Sequence, residues 1–239
     1  MVAAIRDARP DLVVSWFWTK KIPSAVRAVA PLGAFGVHPS LLPRHRGPDP
    51  YFWAILRGDP VTGVTAHYLE DEYDTGALLG ARELAIDPSW DAWTLARRLD
   101  RPSLELLRAT ARAFASGRPP PAVAQDESRV TGAPAPSDDD LAIRWSADAA
   151  AVVRLVRAAA PWPGAVTEIG DATLSITRAE ATSSVPRALE PGEACAVDGV
   201  VVVRARDAGV RLLEARTDDD EVITASGLAA LLSQRARLP

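Results

Sequence analysis

His38 and Asp74 are the side chains of this sequence best suited to moving a proton. His38 sits in the stretch GVHPSLLPRHRG, residues 36–47, which holds two of the three histidines among loop-forming residues. An imidazole titrates near neutral pH, and a carboxylate beside it orients the ring and stabilises its cationic form. Asp74 lies in YDTGALL, residues 73–79, directly before a Thr-Gly turn. Loops that follow strands are where α/β folds hold reactive groups, so a histidine and an aspartate on two such loops make a general-base pair. Each residue also has an ordinary reading. His38 can cap a strand end through backbone hydrogen bonds. His45, between two arginines, reads as a solvated loop residue, His67 as a half-buried residue on an alternating strand, and residues 70–72 as a solvated acidic turn. DTG also occurs in aspartic proteases, where two such loops share a proton. One copy, in an α/β context, argues against that chemistry.

The elements that must position these residues follow from periodicity. DLVVSWFW, residues 11–18, is a short β-branched and aromatic run that reads as a buried parallel strand. IPSAVRAVAP reads as a helix, LGAFGV as a second strand delivering His38, PYFWAILRGD as a helix, and TGVTAHYLE and LLGARELAI as further strands. From Pro88 to Gly117 the pattern is helical with a break at Arg101-Pro102. There Ser103 is expected to cap a second helix with Leu104, Leu107, Ala111 and Phe114 on one face, ended by Gly117. Residues 118–140 are rich in proline and read as a linker or a draped surface segment. Beyond them a helix is expected between Ser146 as N-cap and Pro161 as stop. Then come short strands joined by tight turns at Gly170-Asp171 and Asp198-Gly199, and a closing helix, ASGLAALLSQRA. Alternating α and β followed by a β-rich tail predicts an α/β, Rossmann-like domain over residues 1–120, a linker over 121–140, and a small OB-like β-barrel over 141–239.

Composition narrows the partners. No apolar run approaches the ~18 residues of a membrane helix, and the N-terminus lacks the basic-then-apolar layout of an export signal. A single cysteine, Cys195, allows no internal disulfide and no metal cluster; it reads as a small buried hydrophobe in a cytoplasmic protein. The seven tryptophans read mostly as core or interface. From Ser137 onward there are 11 arginines, no lysine and 16 acidic residues, a net charge of −5; the preceding residues hold the other 16 basic and 15 acidic residues, a net +1. An acidic C-terminal part is a poor electrostatic partner for a phosphate backbone.

Across residues 36–79 the blocks His38-Pro39-Ser40-Leu41-Leu42-Pro43, Arg46-Gly47, Thr62-Gly63-Val64-Thr65, His67 and Asp74-Thr75-Gly76 stand in a fixed order and spacing. Together they resemble the formyltransferase family that uses 10-formyltetrahydrofolate, which includes methionyl-tRNA, glycinamide ribonucleotide and amino-sugar formyltransferases. PDLVVSWFWTKKIP is similar to the strand and loop that line that family's folate pocket, and IRWSADAAAVVRLVRAAAPWPGAVTEIG to its entry into a C-terminal barrel. The resemblance implies an enzyme that moves a formyl group from 10-formyltetrahydrofolate to a primary amine. On it, His38 is the acid/base or electrostatic group and Asp74 its tuning and relaying partner. It places the folate against Trp16, Phe17 and Trp18, against Ser40, Leu41, Leu42 and Pro43, and against Tyr73 and Asp74. The acceptor falls to Arg46, Gly47, Pro50, Trp53 and His67.

Two departures accompany the resemblance. The family carries Asn where this chain has Gly36, and that amide helps hold the developing oxyanion. The family pattern also has further strand–helix units ahead of the segment that Met1 begins, so the expected Rossmann-like domain is N-terminally incomplete. These departures motivate a second class of reading, a degenerate module that binds folate or a partner without turnover. For the acceptor, Pro163-Gly164-Ala165-Val166-Thr167 and Trp53 are close to the pattern of amino-sugar enzymes, and the linker lacks the lysines common in tRNA enzymes. The expected acceptor is a small-molecule amine such as a nucleotide-linked amino sugar, with charged initiator tRNA as the alternative and a homodimer as the oligomer considered.

Overall fold

The structure, a computed structural model, describes residues 2–18, 20–169, 172–186, 188–217 and 219–235. It divides into two units. One takes in the chain to Ala54 together with Asp59–Pro88 and Thr94–Ala135; the other comprises Ile55–Gly58, Ser89–Trp93 and the chain from Pro136.

In the first unit, α1 (Val2–Asp7), β1 (Val13–Trp16), the single turn α2 (Ser24–Arg27) and β2 (Ala34–His38) precede α3 (Pro50–Arg57, in this unit to Ala54), β3 (Val61–Tyr68), β4 (Leu78–Ala85) and the long α4 (Ala92–Ala115, in this unit from Thr94). The strands form one sheet in the order β1-β2-β3-β4. β1 runs parallel to β2, whereas β2–β3 and β3–β4 are antiparallel, so the sheet is mixed rather than parallel. The expected burial of β1 is not observed: its residues alternate between half-buried and exposed, because it is the edge strand among the described residues. β3 departs in the opposite sense. Its interior residues Thr62 to His67 are all buried, since it is flanked by strands on both sides and covered on both faces, so His67 is not half-buried.

Successive side chains of a strand point to opposite faces. α4 covers the face that carries Phe35 and Tyr68: Phe114 stacks on Phe35 with ring centroids 5.7 Å apart and meets Tyr68 edge-on at 6.1 Å. Trp16 Nε1 donates to Ser103 Oγ on the same face at 2.9 Å. Ser15, Gly36, His38 and His67 therefore belong to the other face. The expected break at Pro102 is absent, and α4 runs through it. Ser103 is a buried mid-helix residue rather than a cap, and the buried stripe is Leu95, Leu99, Ser103, Leu106, Thr110 and Phe114. A proline near the middle removes one donor, and the apolar face packed on the sheet outweighs that loss. Gly117, at φ +70°, follows the helix as expected.

The second unit contains α5 (Asp138–Leu141), α6 (Ala149–Ala159), strands β5 (Ala165–Ile169), β6 (Ala172–Thr182), β7 (Ala194–Val197), β8 (Val200–Arg204), β9 (Gly209–Arg216) and β10 (Val222–Thr224), and α7 (Ala225–Arg235). The strands make an antiparallel sheet in the order β5-β6-β9-β8-β7, with β10 on β9. The turn expected at Gly170-Asp171 and the last residue of the expected closing helix, Ala236, lie outside the described residues. Ser146 does not cap α6. The helix begins at Ala149, whose N–H donates to Asp207 Oδ1 at 2.8 Å, while the Asp148 carboxylate is held by Arg206. Cys195 lies on the edge strand β7 and is half-exposed rather than buried. None of the seven tryptophans is buried. An indole N–H needs an acceptor, and Trp145 finds its own at Thr167 Oγ1. No helix among the described residues is long and apolar enough to cross a membrane.

Candidate active site

The loop after β2 is built so that backbone groups fix the histidine that ends the strand. Ser40 Oγ donates to Arg44 O at 2.6 Å, Thr65 Oγ1 donates to Ser40 O at 2.7 Å, and Leu42 N donates to Thr65 Oγ1 at 3.1 Å. This closes the loop into a tight coil over β3. His45 ends it at φ +57°, a left-handed conformation that non-glycine residues adopt only when held there. The holding groups are Asp59, whose Oδ2 lies 2.6 Å from His45 Nε2, and Thr131, whose Oγ1 accepts from His45 N at 2.9 Å. Arg44 donates to both oxygens of the same Asp59 carboxylate. His45 is thus fully enclosed, not solvated. Burial would raise Asp59, but the hydrogen bonds from His45 and Arg44 outweigh it and hold the carboxyl below its usual range.

His45 matters to the site through its carbonyl. That oxygen can only accept, so the contact of 2.8 Å with His38 Nε2 places the proton on that nitrogen. His38 Nδ1 is then the free nitrogen, and it lies 3.4 Å from Asp74 Oδ1. His67 is constrained in the same way. Its Nδ1 donates to Tyr68 O at 2.8 Å, leaving Nε2 at 3.6 Å from the same Asp74 oxygen. With the acid ionised and both rings neutral, three acceptors would face one another. A proton on any of them turns the contact into an attraction. Burial pushes His67 down to about 4; the Asp74 charge opposes this and the His38 and Arg46 charges add to it. His67 is therefore neutral at pH 7, which leaves His38 Nδ1 and Asp74 Oδ1, 3.4 Å apart, as the pair placed to exchange a proton.

Asp74 is set by its own neighbours. It adopts φ +58°, its Oδ2 accepts from Gly47 N at 2.9 Å, and its side chain is 15% exposed against 8% for His38. Gln125 Nε2 donates to the carbonyls of Asp74 and Gly76 at 2.7 and 2.8 Å. Gln125 Oε1 in turn accepts from Arg46 Nε and Nη2, and Glu127 takes further Arg46 donors. Gly76 is required sterically, since a Cβ there would lie 1.9 Å from Tyr68 O. Gln125 and Asp59 carry no motif: one stands in a proline-rich segment and the other after a turn glycine, and only their side-chain hydrogen bonds reveal them.

The structure brings together His38, Asp74, His67 and Gly47. Ser40, Leu42 and Pro43 are buried in the loop scaffold, as is Pro50, and Leu41 is half-buried. Trp16 and its ring neighbour Phe17 are exposed, with the Trp16 indole turned to α4; Trp18 is also exposed. Trp53 Nε1 donates to Pro134 O. Tyr73 is exposed beneath Lys21, whose ammonium stands 5.6 Å from the ring centroid. Lys21, Ile22, Pro23, Ser24, Arg27 and Asp71 line an open hollow of about 450 Å³. Its two cations are already paired, Lys21 with Glu72 and Arg27 with Asp71.

A two-unit chain with a histidine that ends one strand of a mixed sheet, facing an aspartate on the loop between two others, has counterparts among known proteins. Residues 1–110 match the model described as formyl transferase, and residues 137–231 the model of the formyl transferase C-terminal domain. The chain is 37% identical over 224 residues to a methionyl-tRNA formyltransferase of Roseiflexus castenholzii, covering 90% of this chain and 71% of that one. It belongs to the formyltransferase family. Other relatives of the same name are spanned over 56 to 71% of their length. Among solved structures, HypX from Aquifex aeolicus in complex with tetrahydrofolic acid superposes with a TM-score of 0.74 at 23% identity, over 99% of this chain and 42% of that one. An N-formyltransferase from Helicobacter canadensis, solved with folinic acid and dTDP-3-aminofucose, gives 0.64 at 13% identity over 84% and 72%.

Proposed function

We propose that this chain transfers a formyl group from 10-formyltetrahydrofolate to a primary amine, with the His38–Asp74 pair as its proton carrier. The observation that carries the reading is the 3.4 Å approach of His38 Nδ1 to Asp74 Oδ1, beside a His67 held neutral. A neutral amine nitrogen attacks the formyl carbon, a C–N bond forms and the carbonyl electron pair moves onto oxygen. The amine's proton passes to Asp74, the more exposed member, and is held with His38. When the bond from the formyl carbon to N10 of the folate breaks, the same pair returns a proton to that departing nitrogen. His38 in its cationic form also favours the negative charge on the carbonyl oxygen. Folate-bound relatives of the same fold support the choice of donor.

Two readings of the acceptor each rest on one observation. The lysine-free segment from Ser137, with its net charge of −5, favours a small-molecule amine such as a nucleotide-linked amino sugar. The names of the curated relatives favour charged initiator tRNA. Tetrahydrofolate release from 10-formyltetrahydrofolate, followed with nucleotide-linked amino sugars and with charged initiator tRNA, tests both. Release with an amino sugar supports the first; formylation of charged tRNA alone overturns it. No release with any amine, from protein that binds folinic acid, supports the non-catalytic folate-binding module instead.

A further inference from the structure

Formyl transfer places a negative charge on the carbonyl oxygen, and a site that accelerates it needs a hydrogen-bond donor aimed at that oxygen. The donor must stand on the sheet face that carries His38. The side chains on that face form cross-strand rows. Ser15 of β1 pairs with Gly36 of β2, and Gly36 pairs with His67 of β3; His38 follows two positions along β2, opposite Thr65. Gly36 is thus the centre of a row whose flanking members are a hydroxyl and an imidazole, and it has no side chain of its own. A Cβ built at Gly36 would meet Ser15 Cβ at 3.5 Å and Leu69 Cδ2 at 3.1 Å, so Ser15 and Leu69 flank the position that a side chain at Gly36 would take.

The other hydroxyls of this region are committed. Thr65 Oγ1 bridges Leu42 N and Ser40 O, and Ser40 Oγ donates to Arg44 O. Ser15 is half-buried, and its hydroxyl has no hydrogen-bond partner among the described residues. Its parallel pairing to Gly36 sets its Cβ on the face of Gly36 and His67, and rotation about Cα–Cβ among the staggered rotamers sets the direction of its O–H. We infer that Ser15 is a catalytic residue, donating the oxyanion hydrogen bond that Gly36 has no side chain to give. The inference rests on the formyl-transfer reading. The hydroxyl keeps its proton throughout: it strengthens a hydrogen bond as the carbonyl oxygen becomes negative and weakens it again as the carbonyl reforms.

The test compares the full chain with its Ser15→Ala, Ser15→Thr, Gly36→Asn and Ser15→Ala/Gly36→Asn variants, using the acceptor amine that the screen selects. Tetrahydrofolate release gives kcat, and calorimetric titration with folinic acid gives the folate Kd. Ser15→Ala is expected to lower kcat by roughly 10²-fold, the usual effect of removing one such donor, with the folinic acid Kd unchanged. Ser15→Thr, which keeps the hydroxyl, is expected to restore most of kcat. In the Gly36→Asn background, where an amide can fill the space after a small shift of Leu69, Ser15→Ala is expected to cost far less. Ser15→Ala with wild-type kcat overturns the inference, as does an equal loss in Ser15→Ala and Ser15→Thr, which marks a packing role. The same loss with and without Asn at position 36 also overturns it. A wild-type chain that binds folinic acid but formylates no amine overturns the formyl-transfer reading, and the role of Ser15 with it.

Discussion

A carbonyl oxygen has no proton to give, and that fact decides the protonation pattern of this site. His45 O and Tyr68 O each accept a hydrogen bond from one ring N–H, so His38 and His67 both present their other nitrogen to Asp74 Oδ1. Replacing His38 by Asn, or Asp74 by Asn, removes a member of the proton-holding pair. Either change is expected to lower kcat by roughly 10²–10⁴-fold, the usual contribution of general acid–base catalysis, with the folinic acid Kd little changed. Steady-state kinetics and calorimetry check this. His67 makes a different prediction. Its folded-state value of about 4 lies below the ordinary 6.5, so between those values the unfolded chain binds more protons than the folded one. Stability conferred by neutral His67 is full above 6.5 and is lost as pH falls toward 4, a change on the order of 3 kcal/mol. Asp59 behaves in the adjacent window: its contribution is present above the ordinary 3.8 and is lost as pH falls through its lowered value. Urea midpoints measured from pH 7 to pH 4 should decline, and His67→Gln should flatten the decline; an unchanged slope in that variant rules His67 out as its source.

At the scale of elements, the segment after α4 is part of the frame that holds the candidate site. Gln125 ties the Asp74 loop through two carbonyls and receives Arg46 on its other end. Gln125→Ala leaves those carbonyls and part of the Arg46 guanidinium without partners, a cost of about 1–3 kcal/mol. It should also lower kcat by loosening Asp74, with thermal melts and kinetics as the readouts. Gly76→Ala is the harsher change, because a Cβ cannot sit 1.9 Å from Tyr68 O without moving β3 or the DTG turn. A loss of about 3 kcal/mol or more, in the range of strained backbone and buried clashes, is expected in denaturant titrations. How much of this was legible in sequence varies with the kind of signal. The strands other than β10 follow from periodicity, and His38, His67 and Asp74 stand out by motif spacing. Ser103 as a cap failed because Pro102 looks like a helix break, while the packing of α4 on Phe35 and Tyr68 keeps the helix whole. His45 looked solvated because its flanking arginines are charged, and its partner Asp59 is recognisable only once the loop is folded. Thr62, Thr65 and His67 make β3 read as a half-exposed alternating strand, whereas its residues on both faces are buried.

At the scale of the whole chain, charge separates the two acceptor readings. A protein that neutralises several phosphates loses affinity steeply with salt. The net −5 beyond residue 136 provides few such contacts, so KM for a small amine acceptor should change little between about 50 and 200 mM salt. A KM that climbs many-fold over that range points instead to a polyanionic acceptor, and charged tRNA is the candidate to test first.

The placement of the tryptophans has an optical consequence. With four of the seven indoles exposed and the other three only partly buried, native emission is expected to lie toward that of rings in a polar setting. Unfolding should shift its wavelength little, so circular dichroism is the better monitor of the pH and urea series. What tryptophan emission can follow is the neighbourhood of β1. Trp16 is half-open, adjoins Ser15, and is tethered to Ser103 at 2.9 Å. Quenching of that ring by titrated folinic acid, lost in Trp16→Phe, would give the site a built-in reporter that leaves the catalytic face untouched.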